Sequence, residues 1–168
     1  MSIAAAARYD TAMTRQLVLD EFVPYRLSYA SNLVSDAIAG AYEALFGLSI
    51  PEWRIVAVTA EVPAGVTQAA IVGATRMDKV TVSRAAAALV ARGLLVRRDN
   101  PNDRRSHLLV PSAAGRTLYA TVAPKALELE ARILADFAPA ERAALMAMLR
   151  RIETAAAALD GAGNSSRD

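Results

Sequence analysis

The sequence predicts a mainly α fold interrupted by one β-hairpin. Three observations predict it. Aromatic residues are only 5% of 168, which disfavours a β-sandwich. Hydrophobic residues reach 54%, and much of the excess over an ordinary domain is alanine, the strongest helix former. Apolar residues recur at three- and four-residue steps along most of the chain, and a single short stretch breaks into two strand-like runs around an Asn/Pro/Asp turn. At this length one domain with its own core is expected, and surplus apolar surface on helices suggests a helix–helix dimer interface.

Residues 1–18 lack periodicity and read as a flexible arm. From Phe22, the positions Ala30, Leu33, Val34, Ala37, Ile38, Ala41, Tyr42 and Leu45 trace one face of a long helix over 22–46. Pro24 fits its first turn, and Gly47 its C-terminal cap. Ser49 and Glu52 have capping-box spacing, so a second helix runs to about Ala60. The stretch 62–65, Val-Pro-Ala-Gly, breaks it. Thr67 opens a short third helix over 68–74, and Arg76-Met77-Asp78 turns into a fourth over 79–92 with Ala85, Ala88 and Leu89 on its packing side.

Gly93 stops that helix. Residues 94–98 and 106–110 read as two strands. Ser112 caps a fifth helix reaching about Ala135, where Pro124 predicts a kink. Pro139 starts a sixth, but Ala138 is a poor N-cap and weakens that start by about 1 kcal/mol. The segment 161–168, small and polar, reads as a disordered tail. The expected organisation is a single domain over 19–160: a compact head at 49–111 and dimerisation helices at 22–46 and 112–159.

Composition excludes several functions. No cysteine is present, so disulfides, thiolate metal sites and thiol-based peroxide sensing are out. One histidine cannot build a metal cage; no cofactor or metal is expected. No Gly-rich phosphate loop or nucleophile elbow occurs, and Glu128 and Glu130 are too close in sequence to face each other on a helix. The chain does not read as an enzyme. The longest apolar run, 85–91, is far below the roughly 18 residues of a membrane span, and no secretory leader is visible near Ile3, so a cytoplasmic protein away from membranes is expected.

Charge is unevenly placed. Net charge is only +2, yet residues 76–105 hold eight bases against three acids, a surplus of five. A basic block on a mildly acidic body is an electrostatic footprint for nucleic acid. Within it, the fourth helix opens with Asp78-Lys79-Val80-Thr81-Val82-Ser83-Arg84, whose short side chains suit entry into a major groove. Thr81 and Ser83 can bond bases or phosphates, Val80 or Val82 can touch thymine methyls, and Arg84 suits a paired contact to guanine. An ordinary amphipathic helix with a solvated polar face is the alternative. At the turn, Asp103 and Arg105 can pair and stiffen the tip, leaving Arg104 or Arg105 to reach a narrow, A/T-rich minor groove. Arg97 and Arg98 can line phosphates. Thr67, Gln68 and Lys79 complete the candidate DNA contacts; the bland alternative for the tip is a charged surface turn.

These residues carry a resemblance. The segment 67–73, the run 77–84, Gly93-Leu94-Leu95 and the turn 99–105 together resemble the winged helix-turn-helix of the MarR family of bacterial transcription regulators. Asp103 and Arg105 match its D-x-R wing signature, and residues 49–54 resemble the start of its second helix. Pro111-Ser112 departs from the common leucine–threonine pair, and Ala138 from the usual Ser or Thr. The likeness spans 22–152.

It implies a homodimer built from the first, fifth and sixth helices on a pseudo-palindromic operator, and a repressor responsive to a small aromatic or phenolic acid. Candidate effector residues are Tyr25, Arg26, Tyr29, Trp53 and His107, with core and interface packing as the alternative role and a strand surface as the plainer place for His107. A winged helix that binds protein rather than specific DNA is the rival function; its tip would expose apolar or mixed side chains instead of arginines.

Overall fold

The structure, a computed structural model, describes residues 16–164; residues 1–15 of the arm expected over 1–18, and residues 165–168 of the tail expected over 161–168, lie outside it. Six helices and three strands are found among the described residues: α1 (Val23–Phe46), α2 (Ile50–Glu61), β1 (Val66–Thr67), α3 (Gln68–Thr75), α4 (Lys79–Ala91), β2 (Leu95–Asp99), β3 (His107–Pro111), α5 (Ala113–Ile133) and α6 (Pro139–Asn164). A single 3₁₀ turn, Leu19–Glu21, precedes α1.

The punctuation follows the sequence closely. Gly47 takes the left-handed conformation (φ 58°) that ends α1. Ser49 and Glu52 form the full capping box of α2: the Ser49 N–H donates to Glu52 Oε2 at 2.8 Å and the Glu52 N–H to Ser49 Oγ at 3.4 Å. Ser112 caps α5 by accepting the Gly115 N–H at 3.0 Å, and α5 runs through Pro124 without a break in its helix. At α6, Ala138 supplies no side-chain cap, but Glu141 partly compensates by accepting the Ala138 N–H at 2.7 Å.

Three expectations need correction. The sheet has a third strand, β1, pairing antiparallel with β3 through Val66↔Leu109 and Thr67↔Leu108 in the order β1-β3-β2. Two residues between a turn and a helix cap carry no alternation to read. Both hairpin strands sit one residue later than expected. And α6 continues to Asn164, past Gly161, because an alanine-rich run carries the helix across an isolated glycine.

The core lies in the head. Leu48, Ile55, Ile71, Val82, Leu89, Leu95 and Leu109 are fully buried, drawn from α2, α3, α4, the sheet and the α1–α2 corner. Val122 of α5 joins them, tying that helix to the head. The seam between head and α5 is tight. The Ser112 N–H donates to the Leu94 carbonyl at 3.1 Å and its hydroxyl to the Gly93 carbonyl at 2.7 Å. A Cβ on Gly115 would stand only 2.0 Å from the Leu94 oxygen. By contrast, no side chain of α6 between residues 139 and 159 is buried.

Candidate nucleic-acid interface

Thr67 begins the motif. Its hydroxyl accepts the Ala70 N–H at 3.1 Å and caps α3. Arg76 ends that helix in the left-handed region (φ 56°), reversing the chain without a glycine. Asp78 then starts α4: its carboxylate accepts the Thr81 backbone N–H at 2.9 Å and the Thr81 hydroxyl at 2.5 Å. Those two bonds, the hydroxyl first, hold the Asp78 carboxyl below the ordinary carboxylate range.

The first turns of α4 sort by face. Lys79, Val80, Ser83 and Arg84 are exposed, and Thr81 is half-buried with its hydroxyl spent on the cap. Val82 is fully buried, so of the two valines only Val80 is free to meet a ligand. The helical repeat explains it: Val82, Ala85, Ala86 and Leu89 share the core face, while Ala88 turns outward instead of packing.

The wing tip is held by its own side chains. Asp103 accepts the Arg105 N–H at 3.0 Å and lies 3.5 Å from its Nε, the pairing expected from the sequence. The backbone bond is the main reason the Asp103 carboxyl is held low. Asn100 Oδ1 accepts the Asn102 N–H at 3.0 Å, and its Nδ2 donates to Ser106 at 2.9 Å. This frame leaves Arg104 and Arg105 exposed. On β2, Arg97 and Arg98 point to opposite faces of the strand. Arg97 lines a groove of about 510 Å³ beneath the wing with Thr67, Gln68, Arg105 and His107; Arg98 does not.

The five effector candidates do not converge. Tyr25, Arg26 and Tyr29 cluster on the first turns of α1, where the guanidinium lies 5.6 Å from the Tyr29 ring centre and pairs with Asp20 at 2.7 Å. Trp53 packs elsewhere, 5.4 Å from Tyr42 and stacked at 5.9 Å on Tyr119. His107 sits in the wing, 3.8 Å from Asp99. The separation is geometric: the α1 residue against Trp53 is Tyr42, 13 positions beyond Tyr29 and so roughly 20 Å along the helix. Trp53 does line a groove of about 610 Å³ between α1, α2 and α6, with Ser31, Ser35, Tyr42, Arg54 and Leu149 among its walls. Burial raises the Tyr42 hydroxyl pKa. Sequence reasoning missed Arg54, whose only signal was its place beside Trp53.

A short helix, a sharp turn, a second helix with exposed polar residues at its front and a three-stranded wing define a winged helix-turn-helix, the DNA-binding fold of transcription regulators. The head is similar to that of the MarR family: residues 46–106 match the model described as "MarR family". A MarR/EmrR family transcriptional regulator from Acinetobacter sp. ADP1 superposes with a TM-score of 0.77 at 23% identity, over 83% of this chain and 98% of that one. A probable transcriptional regulator from Pseudomonas aeruginosa does so with 0.72 at 26% identity, over 80% and 99%. BpsR of Bordetella bronchiseptica, whose DNA binding is regulated by 6-hydroxynicotinic acid, gives 0.70 at 24% identity, over 78% and 98%. No curated protein matches the chain by sequence.

Proposed function

We propose that this chain is a sequence-specific DNA-binding repressor that acts as a homodimer on a pseudo-palindromic operator. The observation carrying it is the exposed front of α4, Lys79, Val80, Ser83 and Arg84, on a head whose wing ends in the exposed arginines Arg104 and Arg105. Base edges are read by the front of such a helix and phosphates by the wing, with Thr67, Gln68, Arg97 and Arg98 as backbone contacts. One head reads few bases, so two are needed, about 34 Å apart. The partner is a second copy, because α6 buries none of its side chains between 139 and 159 and exposes Met146, Met148 and Ile152.

Selection of bound fragments from random DNA supplies the operator. On it, Arg84→Ala loses about 1–3 kcal/mol per half-site and relaxes base preference, while Arg105→Ala weakens A/T-rich flanks. Full affinity in the double variant overturns the assignment. Failure of the wild-type chain to retain any duplex favours the protein-binding alternative.

The effector site of this proposal is the groove at Trp53. It joins apolar walls from α1, α2 and α6 to Arg54, an exposed cation that makes no ion pair among the described residues. An aromatic carboxylate fits that chemistry: a ring against Trp53 and an anion at the guanidinium. BpsR and its hydroxynicotinic acid are a precedent for the ligand class. Titrating 6-hydroxynicotinate and hydroxybenzoates into the operator complex tests it. Wild type releases DNA over a 5–150-fold affinity change, as is typical of such coupling, and Arg54→Gln does not respond. An unchanged response in Arg54→Gln rejects this site.

A further inference from the structure

The groove beneath the wing has a composition the DNA reading leaves partly unused. Its walls come from the start of α3 (Thr67, Gln68, Ala69), from β2 (Arg97), from the tip (Asn100, Asp103, Arg105, Ser106) and from β3 (His107, Leu109). His107 is the chain's single histidine, and its side chain is 60% exposed. The strand register places it opposite Asp99, and Nδ1 lies 3.8 Å from that carboxylate.

Arg97 from β2 and Asp103 and Arg105 from the tip line the groove with His107, and the α3 residues bring no charge. Asp99 of β2 faces His107 across the strand pair but is fully exposed and stands outside the groove's walls. Asp103 is engaged by the Arg105 N–H and guanidinium. The walls therefore carry a surplus of one positive charge when the imidazole is neutral and of two when it is protonated. Imidazole is the side chain whose charge ordinarily changes between pH 5 and 8.

We propose that this groove seats a backbone phosphate of the DNA duplex and that protonated His107 is its deciding contact. The assignment rests on the DNA-binding proposal above and deepens it by adding a proton-dependent phosphate site under the wing. Arg97 and Arg105 supply fixed attraction, and Thr67 and Gln68 present uncharged polar side chains on the same groove. Protonation gives His107 a second N–H donor and a positive charge at the groove wall. Affinity for any duplex then rises as pH falls through the imidazole range, without a change in base preference, because phosphates carry no sequence.

The experiment uses the whole chain and a random-sequence duplex pool of about thirty base pairs, long enough for two half-sites. Affinity is measured against log salt at about pH 5.5 and about pH 8, which bracket the imidazole range. For wild type the slope is steeper at the lower pH by about 0.9 for each His107 engaged. His107→Gln shows the shallow slope at both values, and His107→Lys the steep slope at both. If His107→Gln keeps the wild-type pH difference, or His107→Lys fails to restore the steep slope at the higher pH, the phosphate site is overturned while DNA binding stands. Absence of duplex retention by wild type at either pH overturns the DNA reading itself. The exposure of residue 107 keeps both variants folded, which circular dichroism verifies.

Discussion

The head and the outer helices of this chain are built on opposite principles. Between Leu48 and Pro111 nearly every element delivers a fully buried side chain to one core, and polar residues close each junction: Ser49 with Glu52, Thr67 with Ala70, Asp78 with Thr81. Arg92 adds a clasp, donating to the Gly47 carbonyl at 3.0 Å and pairing with Glu52 at 3.2 Å, so the end of α4 holds the corner between α1 and α2. Outside the head the pattern inverts. Leu33 and Leu45 of α1, Leu127 of α5 and Met148 of α6 are each more than half exposed. The first region is finished by its own sequence, whereas the second presents apolar area that only another surface can cover. Isolated helices of this kind gain most of their stability from packing, so a bare α6 has little reason to persist alone.

That contrast can be broken from either side. The largest effect belongs to the outer helices: a Met148→Asp, Ile152→Asp pair converts a dimer to a monomer in sedimentation and loses the 10²–10⁴-fold gain that two linked heads have on one operator. An unaltered sedimentation coefficient would place the dimer contact elsewhere. In the head, Leu89→Ala leaves a cavity and costs about 2–5 kcal/mol in urea unfolding. A loss below 1 kcal/mol there would mean that the core is not the one described. The smallest effect is acid sensitivity. Asp78 and Asp103 have depressed pKa values in the folded chain, so their stabilisation is present above the ordinary carboxylate range near about pH 4 and is lost as pH falls through the lowered values. Amide exchange should therefore show the first turn of α4 and the wing tip loosening together in acid, before the core of the head does. Asp78→Asn removes the acid-dependent part at α4 only; synchronous loosening of every element instead would contradict the local origin.

Much of the head was legible because its signals are local. A capping box, a glycine after a helix and an Asp two residues before an Arg each act within three or four positions, and all three stand where the sequence put them. What failed depended on contacts across the fold. The strand β1 exists because Val66 and Thr67 lie along β3, a partner some forty residues away that no local pattern announces. Val82 went to the core instead of the ligand face because the burial of Ile71 and Leu89 sets the rotation of α4. The effector set scattered for the same reason: composition cannot tell which turn of a 24-residue helix meets Trp53. Arg54 was overlooked because its value comes from a groove closed by Leu145 and Leu149, nearly a hundred residues further on.

The missing Cβ at Gly115 has a reach beyond its neighbourhood. Because the opening of α5 lies directly on the Leu94 carbonyl, with Ser112 bonded to the same loop, the direction in which α5 leaves the head is dictated at one rigid joint. In a paired molecule assembled through its outer helices, that joint is the wrist that aims each reading hand. Its angle, multiplied by the length of the arm, decides how far apart two target sequences must lie on the double helix.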